Sequence, residues 1–399
     1  MNRRDFLRAL SAAGITMPLL PGMASADAAP SRNQQARRPR HLVLVELQGG
    51  NDGLNTVVPY SDPDYARLRP TLSLKRESLL QLDEGTGLHE SLLPLMPLWL
   101  RGDLAVVQGV GYPAPNRSHF RSIEIWETAS SSDQTLINGW LKPVSDAMTI
   151  RQQMPVKALV LANDEGPLAG ATTDTVVFNN LNGFVNQARS LRVSKQQSGN
   201  AALNHVIAVE NTTRSAAQTF ARRLDTEQSE SGISLPDKAP KLLKQLDLVA
   251  RMIREDFGPQ IYKVQLGSFD THAGQLSRHA GLLKQLAQSI SHFERSLQHS
   301  GHWNDVMIMT YSEFGRRIAE NGNAGTDHGT AAPHFLMGGR IKGGLHGQSP
   351  DLNRLDKQDL QFTTDFRELY STVSRSWFGQ SLANTPFGDF APLPLVRTA

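Results

Sequence analysis

The sequence predicts an α/β fold, a layered sandwich around a mostly parallel central sheet, and three observations carry that prediction. Short apolar runs rich in β-branched residues recur along the chain: HLVLVEL at 41–47, LAVVQGVG at 104–111, IYKVQL at 261–266 and VMIMTY at 306–311. These runs alternate with longer helical patterns, and strands buried on both faces between crossover helices are the mark of parallel sheets. Most of the runs also end abruptly in a polar or glycine-rich loop, the edge at which α/β sheets gather ligands.

The first element is a leader. MNRRDFLRALSAAGITMPLLPGMASADAAP has a basic start, a short apolar segment and the small-x-small site Ala26-Asp27-Ala28, which predicts an export signal peptide over residues 1–28. Gly14, Pro18 and Pro21 break the apolar part, which is too short for a stable membrane span. Arg3-Arg4-Asp5-Phe6-Leu7 resembles a twin-arginine signal, implying a bacterial protein exported folded by that machinery to the periplasm or beyond. An ordinary secretory signal with a basic start is the alternative. A polar linker at 29–40 follows, and its run Arg37-Arg38-Pro39-Arg40 reads as part of a flexible leader.

A single domain is expected over 41–399. HLVLVEL feeds the loop QGGNDG, LHESLLPLMPLWL at 88–100 reads as a helix interrupted by prolines, and LAVVQGVG as a second strand. A helix then begins around Ser118 in SHFRSIEIWETA. VKALVLA at 156–162 is a further strand, and helical spacing around 197–255 predicts a helical insertion. IYKVQL leads into GSFDTHAGQ and a long helical pattern. VMIMTY leads into SEFGRR, and HFLMGG at 334–339 is a short strand preceded, not followed, by its polar loop GTDHG.

Composition excludes several chemistries. The chain of 399 residues has no cysteine, so disulfides and thiolate ligands are ruled out and any metal must rest on nitrogen and oxygen. The net charge of +3, with basic residues dispersed, argues against nucleic acid as a partner.

The strand-end loops supply a hydrolytic centre's residue types. Asp52 in GGNDG, Asp270 and His272 in SFDTHAG, and Asp327 with His328 in GTDHG are candidate metal ligands, with Glu313 an additional carboxylate. Turn-forming accounts for Asp52 and helix capping for Asp270 are the plain alternatives. Several carboxylates at one sheet end need cations to offset their repulsion, and histidines among them favour a transition metal. Ser118 at a helix start reads by itself first as a helix cap, and beside the other loops as a candidate nucleophile. Arg117 and Arg121 are candidates to hold substrate oxygens. His334, before an apolar run, is readable as a core histidine or as a ligand.

GGNDGLN, SFDTHAG, TYSEFGR, TDHG, GGLHG and TTDFRELYSTVSRSWFG together resemble the DUF1501 family of twin-arginine-exported bacterial proteins. That family is distantly similar to the alkaline phosphatase and sulfatase superfamily. The resemblance implies an alkaline-phosphatase-like three-layer sandwich and a divalent metal, zinc or manganese. By it Asp52, Asp327, His328 and the Ser118 oxygen would hold one ion, and Asp270, His272 and a late histidine, His334 or His346, the other. The implied activity is metal-dependent hydrolysis of a phosphate or sulfate ester, the substrate a small anionic ester or its polymer. The alternative is a non-catalytic metal-binding or assembly protein on the same scaffold.

Overall fold

The apolar runs assemble into one nine-stranded sheet in the computed structural model, which describes residues 38–149, 156–170, 174–191, 198–226, 235 and 238–398. The expected leader at 1–28 and the linker through residue 37 lie outside the described residues. In chain order the strands are β1 (His41–Leu47), β2 (Leu104–Gly111), β3 (Ala158–Val160), β4 (Thr175–Val177), β5 (Ile261–Leu266), β6 (Val306–Tyr311), β7 (Ala332–Met337), β8 (Gly344–His346) and β9 (Thr364–Asp365). Their order across the sheet is β8-β2-β7-β6-β1-β5-β3-β4, with β9 also on β2. Every pairing is parallel except those of β7, which runs antiparallel to both β2 and β6.

Strand β1 shows why the fold has three layers. Its residues alternate between two cores: Val43, Val45 and Leu47 face one, and Leu42 and Leu44 the other. On the first face lie helices α3 (Ala201–Thr226), α4 (Lys241–Arg254) and α5 (Gln275–His299), contributing Phe220, Leu246 and Leu286 among others. On the second lie α2 (His119–Thr128) and α6 (Phe366–Ser371), with Ile125, Trp126, Phe366 and Tyr370. Burying one such side chain contributes about 1.5–3 kcal/mol, so a strand packed on both faces is strongly held in register.

The direction of β7 positions the site. Parallel strands present their C-terminal ends, and hence their polar loops, at one edge of the sheet. An antiparallel strand presents its N-terminal end there instead. The GTDHG loop, which precedes β7, therefore joins the loops that follow β1, β2, β5 and β6.

Some boundaries differ from the sequence expectation. Residues 88–100 do not form one interrupted helix: a strand at Gly87–His89 is followed by a 3-10 turn at Glu90–Leu95 and a short helix at Met96–Leu100. Pro94 and Pro97 lack the N–H groups that a continuous helix would need. The strand expected at 334–339 begins two residues earlier and stops before Gly338, whose φ of 155° lies in glycine's territory. No helix among the described residues is long and apolar enough to cross a membrane.

Candidate metal centre

Three loops converge because glycines let their backbones touch. A Cβ on Gly325 would meet the His272 carbonyl carbon at 2.2 Å, and one on Gly329 would meet that of Arg316 at 2.4 Å. The GTDHG loop is thus wedged between the loop after β5 and the loop after β6, with its two glycines at the two contacts.

The result is a cluster in which one donor atom each from His119, Asp270 and His328 lie within 4.8 Å of one another. His328 Nε2 is 3.2 Å from Asp270 Oδ1, and His119 Nε2 is 3.7 Å from Asp270 Oδ2. His272 adjoins the cluster, its Nε2 2.9 Å from Asp270 Oδ1 and 3.0 Å from His328 Nε2, and its Nδ1 3.2 Å from Asp327 Oδ1.

The far sides of the rings decide what the near sides offer. His328 Nδ1 lies 2.8 Å from the Arg117 carbonyl, which can only accept, so that nitrogen carries the proton and the neutral ring's Nε2 presents a lone pair. His119 Nδ1 lies 2.7 Å from Glu313 Oε1, an oxygen that also accepts the Gly49 N–H at 2.9 Å. With Nδ1–H of His119 donating to that carboxylate, its Nε2 also faces Asp270 with a lone pair. Imidazoles with Nδ1–H on an acceptor and Nε2 turned toward a carboxylate have the orientation of metal ligands. Lone pairs facing an anion repel unless a proton or a cation lies between them.

Protonation states favour the cation at His328. Burial lowers the His328 pKa, the main influence there, so charging that ring is disfavoured. The hydrogen bond that His119 donates to Glu313 raises its pKa and favours the charged ring. Burial, the largest single influence on Asp270, pushes its pKa up. Arg316, 2.6 Å away, outweighs it by hydrogen bond and charge and brings it down to about 2. Asp270 is therefore a carboxylate at any physiological pH. Four ligands at about 2.1 Å around a tetrahedral ion stand roughly 3.4 Å apart. The 3.2 and 3.7 Å contacts run to the two different oxygens of Asp270; with one donor atom taken from each residue, all three lie within 4.8 Å, and donors of nitrogen and oxygen suit a divalent ion such as zinc.

The other sequence candidates occupy different positions. Asp52 is wholly buried, with both oxygens on the Arg69 guanidinium at 2.6 and 3.0 Å and Gln275 donating to one of them. Asp327 bonds His272 and Asn321. Ser118 is exposed at the start of α2, its hydroxyl making no capping bond while its N–H donates to Asn116. Arg117 pairs with Asp359 at 3.0 Å, and Arg121 with Glu124 at 2.7 Å.

His334 lies in the core outside the cluster, its ring edge-on to Trp126 and neither nitrogen with a hydrogen-bond partner among the described residues. His346 bonds the Lys342 carbonyl at 2.9 Å. The residue missed from the sequence is His119, adjacent to Ser118 in NRSHF. The signal that would have found it is its place at the first turn of the helix leaving a sheet-edge loop.

The model of a protein family of unknown function, DUF1501, matches residues 99–377, and the chain belongs to that family. No curated protein matches it in sequence. Among solved structures it is similar to a protein in the alkaline phosphatase superfamily from Vibrio parahaemolyticus, at 10% identity and a TM-score of 0.41, covering 89% of this chain and 71% of that one. It is similar to the zinc complex of the C-terminal periplasmic domain of EcEptC from Escherichia coli, at 9% identity and a TM-score of 0.36, covering 75% and 73%. A third is phosphonoacetate hydrolase from Sinorhizobium meliloti in complex with phosphonoformate, at 12% identity and a TM-score of 0.29, covering 70% and 57%. None of these likenesses carries an argument about reaction or substrate.

Proposed function

We propose that the chain is an exported metal-dependent hydrolase of phosphate or sulfate esters. The observation that carries this reading is the His119–Asp270–His328 cluster, with both imidazoles held by outer hydrogen bonds so that Nε2 faces the carboxylate. His119, Asp270 and His328 would hold one divalent ion, zinc or manganese, with His272 and Asp327 beside it. Such an ion, when bound, polarises an ester oxygen and lowers the pKa of bound water. Glu313 and the Arg117 carbonyl fix ring orientation, and Arg316 keeps Asp270 ionised. Ser118, exposed beside His119 with its hydroxyl not used in capping, is the chain's own candidate to attack the ester.

A second reading, a non-catalytic metal-binding or assembly protein, is favoured by one observation. The Asp52 carboxylate, expected to hold one of two ions, is neutralised by Arg69.

Metal analysis of protein purified without added metal tests the centre. Wild type should carry close to one zinc or manganese per chain, and Asp270→Ala and His328→Ala should lose at least tenfold of it. Unchanged metal content in both variants would sink the assignment. Turnover of aryl phosphate, phosphodiester and sulfate esters then separates the readings: an enzyme hydrolyses at least one class only with metal, and a binding protein hydrolyses none.

A further inference from the structure

A cavity of about 210 Å³ lies against the candidate centre and has no part in holding the ion. Phe314 belongs to both places. Its ring stacks on His328 at 4.5 Å and approaches His119 at 4.8 Å, and it also lines the cavity. Tyr112, Pro115, Asn116, Leu360 and Phe362 form much of the remaining wall.

Much of the wall is apolar or has its polar groups already partnered, while Asp356 and Gln361, both exposed, also line it. The Tyr112 hydroxyl is 2.8 Å from the Ser122 hydroxyl and accepts the Asn116 N–H at 3.1 Å. The Asn116 side-chain oxygen Oδ1 accepts the Ser118 N–H at 2.8 Å, and the Thr330 hydroxyl donates to the Leu360 carbonyl at 2.6 Å. Phe362 leans over Gly111 so closely that a Cβ there would meet its own Cβ at 2.8 Å, yet its side of the wall stays open, with the residue 37% exposed. A cavity of ~150 Å³ holds a benzene ring, and drug-sized ligands fill roughly 300 Å³ or more. The space therefore has room for one aromatic ring or a short alkyl chain.

We infer that this cavity is a binding site for an aryl-sized apolar group, and that the substrate is an anionic ester carrying such a group. The first half stands on the cavity itself, and the second rests on the hydrolase reading. Asn116, Arg117, Ser118 and His119 are consecutive, so the same short segment that supplies a wall of the cavity supplies a ligand of the centre.

Two measurements test the two halves apart. Binding of 2-naphthol, followed by its fluorescence, should occur in wild type, survive chelation with EDTA, weaken about tenfold in Phe362→Ala and stay within threefold of wild type in Phe362→Leu. No binding, or binding indifferent to Phe362→Ala, would overturn the cavity as a site. With phenyl phosphate and methyl phosphate as substrates, Phe362→Ala should raise KM for the phenyl ester about tenfold and leave the methyl ester within twofold. Equal effects on both esters would overturn the substrate assignment. If wild type hydrolyses neither ester, the substrate assignment falls for phosphate monoesters, the hydrolase reading is decided by the phosphodiester and sulfate substrates, and 2-naphthol binding still decides whether the cavity is a site.

Discussion

At the scale of single residues, histidines in this chain divide by what surrounds their nitrogens. His119 and His328 have acceptors behind them and a carboxylate in front, whereas His334 has Trp126 beside it and no hydrogen-bond partner for either nitrogen among the described residues. The sequence distinguishes them poorly, since each is a histidine near a sheet strand. What separates them is contact with residues far off in the chain, as between His119 and Glu313 across 194 positions. The burial of His334 has a consequence for acid stability. Desolvation lowers its pKa to about 3 in the fold, against about 6.5 in an unfolded chain. Between these values the unfolded state binds the proton and the native state does not, so this contribution to stability is complete above pH 6.5 and is lost as pH falls toward 3. Each proton so released on folding adds about 1.4 kcal/mol per pH unit to the slope. His334→Leu should flatten that limb in urea denaturation measured from pH 7 to pH 4. A slope equal to wild type would show that the imidazole is not held neutral.

At the scale of elements, the loop after β1 was legible in the sequence as a sheet-edge loop, but the partner of its carboxylate was not. A buried strand ending in QGGNDG marks a sheet-edge loop with a carboxylate, for which the sequence offers a turn and the family resemblance a metal. The structure gives it Arg69 instead, one residue beyond helix α1 (Pro63–Leu68), and the same arginine donates to the carbonyls of Ile318 and Arg317. A guanidinium meets the same electrostatic need as a second ion, and nothing in the spacing of Asp52 and Arg69 announces the choice. Burial is the largest influence on Asp52 and pushes its pKa up, yet Arg69 outweighs it and the net direction is down. Since both side chains are wholly buried, Arg69→Ala leaves an uncompensated charge and should destabilise the fold by about 3–5 kcal/mol in chemical denaturation. Adding Asp52→Asn should recover a substantial part of that loss by removing the orphaned charge. Equal stability of the single and double variants would show that Arg69 acts by packing and backbone bonds alone.

At the scale of the whole molecule, the α/β class and the edge bearing the site were legible because buried runs and polar loops alternate along the chain. The direction of β7 was not, because an apolar run looks the same in either sense. It is this reversal that delivers Asp327 and His328 to the edge where the other strands end. The cluster consequently unites the start of α2, the loop after β5 and the loop before β7, segments that an unfolded chain does not hold together. An ion bound by all three binds the native state far better than the unfolded one, so its binding free energy appears as stability. At free metal a hundredfold above Kd the gain is about 2.7 kcal/mol, which for a chain of this size raises the melting midpoint by roughly 3–4 °C. EDTA should remove that increment from wild type, and added zinc or manganese should restore it. His119→Ala, lacking one of the three proposed donors, should melt at one temperature with or without chelator. If instead His119→Ala keeps the full metal-dependent shift while Asp327→Ala loses it, the ion is held by the GTDHG loop without the first turn of α2.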